Sequence, residues 1–168
     1  MRAGSGRNHE REDRSVPDRH LIDVHVLLAH GTELLLTTRR GGAFDGMWHL
    51  PSGKLDGGED VLTAAAREAE EEIGVMIDPG NLTHVHTIHV NGSGPEPRVG
   101  LFFVTTRWIG EPSNREPEKC SGLGWFDLHR LPTNLIEYPA AGIRAYRDGV
   151  PFSVMGWAPQ PGQATISA

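Results

Sequence analysis

Hydrophobic residues cluster along the chain in short runs that predict several β-strands. An apolar run at residues 21–29 and another at 34–38 are separated by a short turn at Gly31, a pattern typical of a β-hairpin. Further runs predict strands in the second half of the chain, at residues 83–90, 99–108 and 124–128.

Two other segments have the residue spacing of amphipathic helices. Residues 61–73 follow Asp60, a good N-cap, and precede Gly74, which suits the left-handed end of a helix. The apolar stripe of this helix is predicted to consist of Leu62, Ala66, Ala69 and Ile73. The second helix is predicted at residues 138–148. Two helices with mixed strands indicate an α/β fold, a layered α/β/α sandwich.

The length of 168 residues indicates one domain. Its core is expected within residues 18–157, because both ends lack apolar periodicity. Residues 1–17 are therefore predicted to be a flexible N-terminal extension and residues 158–168 a flexible C-terminal tail.

Composition and charge narrow the expected partners and location. No apolar run approaches the roughly 18 residues of a membrane span, and residues 1–19 do not resemble a targeting segment. The single cysteine, Cys120, cannot form an internal disulfide, so we expect a cytoplasmic protein. The formal net charge of -6 disfavours gripping a nucleic-acid polymer, whereas a small nucleotide needs only a few cations. The sequence leaves open whether the protein forms a homodimer.

The first predicted helix carries a cluster of acidic residues. Glu68, Glu71 and Glu72 stand at positions i, i+3 and i+4, so their carboxylates converge, whereas Glu70 points away. Like charges at this spacing destabilise a helix unless a cation lies among them, and carboxylate oxygens suit a hard divalent ion such as Mg²⁺. A solvated acidic face is the alternative that the three glutamates alone leave open.

The sequence around these glutamates resembles the Nudix box, the signature of the Nudix hydrolases. All seven specified identities occur at the required spacing: Gly53, Glu59, Arg67, Glu68, Glu71, Glu72 and Gly74. With each residue type at about 7%, a chance match at one window is on the order of one in a hundred million. One departure is Ala69, where the family usually has a larger aliphatic residue, and Ser52 stands where a glycine is common.

The resemblance implies the Nudix fold, an α/β/α sandwich with a mixed β-sheet, and hydrolysis of a nucleoside diphosphate linked to another group. It implies Mg²⁺ or Mn²⁺ as the cofactor, with metal ligands at Glu68, Glu71 and Glu72. Glu59 is a supporting residue or an additional ligand, and Gly53 lets the backbone approach metal or phosphate. Arg67 would orient Glu71 through a salt bridge, and which glutamate is the general base stays open.

Several residues outside the box are candidates for the same site. Arg39 and Lys54 are predicted to contact phosphates, while ordinary surface charge is equally compatible with Arg40. Glu116 matches the place from which MutT-type members bring a further glutamate to the metal. Asn134 resembles the asparagine that those members place against a purine base, although turn chemistry after a proline explains it as well.

Three histidines on the strand at residues 83–90 raise the question of a zinc site. Strand alternation predicts His84 and His86 on one face and His89 on the other, which disfavours a three-ligand cluster.

The leading hypothesis is a metal-dependent hydrolase of a nucleoside triphosphate, ordinary or oxidised, that releases a monophosphate and pyrophosphate. One alternative is a hydrolase of nucleotide sugars, dinucleotides or similar conjugates. The other is a non-enzymatic Nudix-fold module that senses a nucleotide.

Overall fold

A computed structural model describes residues 18–158, and these contain eight strands and two helices. The strands are β1 (Leu21–His30), β2 (Glu33–Arg39), β3 (Trp48–His49), β4 (Ser52–Lys54), β5 (Thr83–Val90), β6 (Arg98–Thr105), β7 (Cys120–Asp127) and β8 (Phe152–Met155). The helices are α1 (Val61–Ile73) and α2 (Glu137–Asp148). The predicted extension at 1–17 lies outside the described residues, as do residues 159–168 of the predicted tail, so the domain bounds stay a prediction.

The eight strands form one mixed sheet in which β1 is central. Its main path runs β3-β2-β1-β6-β5-β8, with β4 also paired to β1 and β7 to β2. The β1–β6 and β5–β8 pairs are parallel, and the other pairs are antiparallel. The predicted hairpin is confirmed as β1 and β2.

Successive residues of β1 pack toward opposite helices, because strand side chains alternate between the two faces of a sheet. Val24, Val26 and Leu28 lie in a core with α1, whereas Leu27 and Ala29 lie in a second core with α2. Two cores on opposite faces of a mixed sheet make an α/β/α sandwich, and the predicted fold class is confirmed.

Helix α1 begins and ends where the sequence predicts. The Asp60 side chain accepts hydrogen bonds from two backbone N–H groups of the first turn, and Gly74 closes the helix with φ +72°. The predicted apolar stripe is partly wrong, because the buried positions are Ala64, Ala65, Ala69 and Ile73. Leu62 and Ala66 are only partly buried, although both pack against the edge of the same core.

Two predicted strands have different bounds in the structure. The strand predicted at 99–108 ends at Thr105, where the Thr105 hydroxyl hydrogen-bonds both backbone groups of Arg107 and forms a local turn. The strand predicted at 124–128 begins earlier, at Cys120, because pairing with β2 extends it through a glycine-rich stretch that lacks alternation. The short strands β3, β4 and β8 were not predicted.

The predicted arrangement of the β5 histidines is also wrong. The register of β5 against β6 shifts between His84, which pairs with Phe103, and His86, which pairs with Phe102. This bulge at Val85 places His84 and His86 on opposite faces. His86 is buried, and its ring nitrogens bond the Val150 carbonyl and the Ser153 hydroxyl.

Neither helix in residues 18–158 is long and apolar enough to cross a membrane.

Candidate active site

The candidate active site lies where helix α1 packs against strand β4. The Glu68 carboxylate occupies the space above Gly53, and a Cβ at position 53 would overlap it. The backbone N–H of Ser52 donates to Glu72 Oε2 at 2.9 Å. The absence of a side chain at position 53 therefore lets the Glu68 carboxylate lie directly over strand β4.

Arg67 joins the acidic residues of the box. Its Nε and Nη2 donate to the two Glu59 oxygens at 3.1 and 2.7 Å, and Nη2 also donates to the Lys54 carbonyl at 3.2 Å. Its Nη1 donates to Glu68 at 2.8 Å and to Glu71 at 3.2 Å. The expected Arg67–Glu71 salt bridge is present, and the planar guanidinium also holds Glu59 and Glu68 in one network.

The four helix glutamates differ in their surroundings. The Glu68 side chain is 13% exposed and that of Glu71 is 54% exposed. Glu72 is half-buried and accepts a hydrogen bond from the Ser52 N–H, whereas the Glu70 side chain is exposed and has no hydrogen bond or salt bridge within the described residues. The geometry sets Glu70 apart from the other three, as the helical wheel predicts.

Glu72 and Glu116 line one small cleft, the acidic cleft, together with Thr37, Arg39, His49, Lys119 and Cys120. The Lys119 ammonium donates to Glu116 Oε1 at 2.6 Å, and the backbone N–H of Glu116 bonds the Asn114 side chain. The structure therefore brings Glu116, from the loop before β7, into the same cleft as Glu72 of the box.

Two carboxylates of this region, those of Glu68 and Glu72, have raised pKa values. Burial raises the pKa of Glu72 to about 7, and the charges of Glu68 and Glu116 add to this effect. Burial also raises the pKa of Glu68, against the opposite effect of its bond to Arg67. The Arg67 guanidinium instead lowers the pKa of Glu59. Crowded anions with raised pKa values are stabilised by a nearby cation.

The donor set fits a divalent cation, although it is not preassembled. Across residues 18–158, no three His, Cys, Asp or Glu side chains are grouped as a ready metal site. Arg67 engages Glu68 and Glu71, and Lys119 engages Glu116, so protein cations occupy oxygens that a metal would take. The close approach at Gly53 and the carboxylate chemistry of Glu68 and Glu72 fit Mg²⁺ or Mn²⁺.

A second, larger cleft of about 190 Å³ lies on the α2 face of the sheet. This α2-side cleft shares Arg39 and His49 with the acidic cleft. Its remaining lining comes from distant segments: Asp23, His25, Phe44, Ser52, Gly53, Lys54, Ser93, Arg98, Ile136, Tyr138 and Pro139. Burial and the Arg39 charge lower the pKa of His49 to about 4, and His49 Nε2 bonds the Thr37 hydroxyl at 3.1 Å.

The predicted substrate contacts fall in different places. Arg39 and Lys54 both line the α2-side cleft, and within the described residues their side chains have no acidic partner at salt-bridge distance. Arg40 lines neither cleft. The Asn134 amide donates to the Gly46 carbonyl at 3.0 Å, a bond to a distant loop rather than within its own turn, and Asn134 lines neither cleft.

Sequence reasoning missed the polar residues of the α2-side cleft. Asp23 and His25 interrupt an otherwise apolar strand at positions i and i+2, and this spacing puts both on one face. That interruption was the available signal. Arg98 and Tyr138 reach the same place from β6 and α2, and nothing local in the sequence links them to β1.

Comparison with known proteins matches these features to one family. A family model described as NUDIX domain matches residues 19–147. The crystal structure of a MutT NUDIX hydrolase from Burkholderia pseudomallei superposes with a TM-score of 0.69 at 28% identity, covering 76% of this chain and 98% of that one.

Curated relatives match the same part of the chain. An 8-oxo-dGTP diphosphatase from Haemophilus influenzae is 32% identical over 114 residues, which are 67% of this chain and 77% of that protein. The human 8-oxo-dGDP phosphatase NUDT18 is 29% identical over 68% of this chain and 34% of its own length. The chain spans little more than a third of the length of several curated relatives that it matches.

Proposed function

Because the chain belongs to the NUDIX family, we propose that it is a metal-dependent pyrophosphohydrolase of nucleoside triphosphates, releasing a nucleoside monophosphate and pyrophosphate. Oxidised purine nucleotides are the first substrates to test, since the Haemophilus influenzae relative is named for 8-oxo-dGTP. The observation that carries this proposal is that Glu72 and Glu116 line one cleft with the cation Arg39, while Glu68 packs over Gly53, next to the Ser52 N–H that donates to Glu72.

The proposed roles follow from the contacts of each side chain. Glu68 and Glu72, with Glu71 at the exposed edge, would hold the ion, while Glu59 acts through Arg67 to position them. Gly53 provides the space that Glu68 needs. Bound Mg²⁺ or Mn²⁺ would polarise the phosphate and neutralise charge on the leaving group.

In the reaction, a water oxygen bonds to phosphorus while a bridging P–O bond breaks. The water proton passes to a carboxylate of the acidic cleft, and Glu116 is the candidate that lies off the helix. Arg39 and Lys54 would bind phosphate oxygens, because both cations face a cleft and have no acidic partner in the described part of the chain.

A nucleotide panel tests this proposal. The protein is incubated with ordinary and 8-oxo nucleoside triphosphates, a nucleotide sugar and a dinucleotide, in Mg²⁺, in Mn²⁺ and in chelator, and the products are separated. We expect metal-dependent release of pyrophosphate from a triphosphate and none with chelator. If only the nucleotide sugar or the dinucleotide is cleaved, the substrate class is that of nucleotide conjugates rather than triphosphates. If no compound is cleaved, the proposal fails in favour of a non-enzymatic nucleotide sensor.

A further inference from the structure

A pair of histidines joins two chain segments that lie on either side of strand β6. His20 directly precedes β1, and His89 belongs to β5; both strands pair with β6. His20 Nδ1 and His89 Nε2 are 3.0 Å apart, although the two residues are 69 positions apart in the sequence. Neither residue lines the acidic cleft or the α2-side cleft, so the pair has no role in the proposed reaction.

The two imidazole rings present these nitrogens to each other. The ring centroids are 4.9 Å apart, well beyond the 3.0 Å between the nitrogens, so the nitrogens lie at the near edges of the rings. The partner of His89 is thus a histidine from outside β5, rather than His84 or His86 of its own strand.

Asp18 fixes the position of the proton on the His20 ring. Asp18 Oδ2 is 3.1 Å from His20 Nε2, and because an ionised carboxylate only accepts, Nε2 is the donor. This hydrogen bond from His20 lowers the pKa of Asp18, which keeps the carboxylate ionised. In the neutral ring, a proton on Nε2 leaves Nδ1 with a lone pair on the side of His89. A carboxylate behind the ring is the usual support of a metal-binding histidine.

Trp157, which follows β8, packs over the pair. Its centroids are 4.4 Å from the His89 ring and 6.0 Å from the His20 ring, and its Nε1 donates to the His89 carbonyl at 3.1 Å. The His20 side chain is 22% exposed, so the pair lies at the surface, within reach of a dissolved ion.

The distance between the two nitrogens suits two ligands of one metal ion. Bonds from a metal such as zinc to an imidazole nitrogen are about 2.0–2.1 Å long, and two such bonds at about 90° place their nitrogens about 3.0 Å apart. That angle is typical of tetragonal Cu²⁺ and Ni²⁺ sites, and imidazole suits both ions, whereas Mg²⁺ prefers oxygen ligands.

We propose that His20 and His89 form a binding site for a divalent late transition metal ion, Cu²⁺ or Ni²⁺, separate from the carboxylates of α1. No third His, Cys, Asp or Glu in residues 18–158 is grouped with them, so water completes the coordination. The two nitrogens meet only in the folded chain, so the bound ion stabilises that state by mass action. It links the start of β1 to β5, beneath the tryptophan that follows β8.

Calorimetry with Ni²⁺ tests this site. The full chain is titrated in excess Mg²⁺, which competes for the carboxylates, and wild type is compared with His89→Gln and His20→Gln. We expect each variant to bind Ni²⁺ at least tenfold more weakly, since even a residue that only supports a metal ligand contributes about ten- to a hundredfold. His84→Gln, at an exposed position on the same strand as His89, is the control and should keep the wild-type affinity.

Absence of Ni²⁺ binding to wild type, wild-type affinity in either variant, or an equal loss in His84→Gln would overturn the site. A measurement on the wild-type protein does not depend on folding of a variant. Paramagnetic Cu²⁺, added below one equivalent, should broaden the ring resonances of His20 and His89 before those of the other histidines. Earlier broadening of another histidine would also overturn it.

The metal site and the hydrolase are tested separately. His20 and His89 line neither cleft, so His89→Gln should retain the wild-type kcat in Mg²⁺. Nucleotide cleavage without Ni²⁺ binding would remove only the histidine site, and Ni²⁺ binding without cleavage would remove only the hydrolase.

Discussion

Two adjacent clefts divide the chemistry of this protein, and they are built in opposite ways. The acidic cleft brings together Glu72 and Glu116. The charge of Glu116 helps to raise the pKa of Glu72, so a nearby cation would stabilise the ionised pair. The α2-side cleft contains a balanced Asp23–Arg98 pair and a neutral His25. Arg39 and His49 lie between them and line both.

The contrast teaches how one small domain can treat the two ends of a nucleotide differently. A polyphosphate with its metal needs concentrated charge, whereas a base needs neutral donors and acceptors. Strand β4 lies between α1 and the α2-side cleft, since Glu68 of α1 covers Gly53 while Ser52, Gly53 and Lys54 all line that cleft. Variants in the acidic cleft should therefore alter catalysis, and variants in the α2-side cleft should alter substrate recognition.

The largest expected effect comes from removing charge in the acidic cleft. Glu72→Gln should lower kcat by more than about a hundredfold, beyond the range seen for residues that only support a metal ligand. The fold should survive, because the amide is easier to bury than a carboxylate. Steady-state kinetics with the best substrate measures the effect, and Glu70→Gln is the matched control. Equal losses in the two variants would remove the distinction between the helix faces.

Breaking the network behind the glutamates should have an intermediate effect. Arg67→Met leaves Glu59, Glu68 and Glu71 without their shared donor, so we expect activity and Mg²⁺ affinity to fall by about ten- to a hundredfold. Metal titration calorimetry and kinetics measure both. Arg147→Met, which breaks an exposed pair with Asp148, should leave them unchanged. Loss of stability without loss of metal affinity would make Arg67 purely structural.

Substitution of Arg39, which lines both clefts, should have a smaller effect on catalysis. Arg39→Gln should raise KM about tenfold, since a charged hydrogen bond to phosphate is worth roughly 1.5–3 kcal/mol and solvent replaces part of it. Arg40→Gln should leave KM unchanged, because Arg40 lines neither cleft. A larger effect at Arg40 than at Arg39 would move the phosphate contacts away from this boundary.

The last prediction concerns stability rather than activity, and it depends on pH. The pKa of His25 is about 3 in the folded protein and that of His49 about 4, against about 6.5 in an unfolded chain. Between these values the unfolded state binds more protons, so stability is full above pH 6.5 and is lost as pH falls. Each histidine contributes up to about 1.4 kcal/mol per pH unit.

His25→Leu should therefore make the fall in stability from pH 6.5 to 4 shallower, with the His49 contribution remaining. Urea unfolding at a series of pH values measures it. An unchanged slope would mean that His25 is not held neutral by burial, which would weaken the contrast between the clefts.

Local sequence predicted helix α1 and the grouping of its glutamates far better than the α2-side cleft. Helix α1, its caps at Asp60 and Gly74, and the grouping of its glutamates depend on residues close in sequence, and spacing reveals them. The α2-side cleft joins β1, β6 and α2, so its residues meet only after the sheet has formed.

Nonlocal pairing also explains the errors in the strands. The bulge at Val85 reverses the expected face of His84, and a shift of this kind depends on the partner strand β6 rather than on the alternation of β5 itself. Strand β7 extends to Cys120 for the same reason, because β2 supplies its hydrogen bonds.

A crystal structure with Mn²⁺ and a non-hydrolysable analogue of the best triphosphate tests the division of labour most directly. We predict an anomalous Mn²⁺ peak between Glu68 and Glu72, phosphates toward Arg39 and Lys54, and the base against His25. An acidic cleft without Mn²⁺ while the analogue is bound, or a base that lies away from the α2 face, would contradict the account.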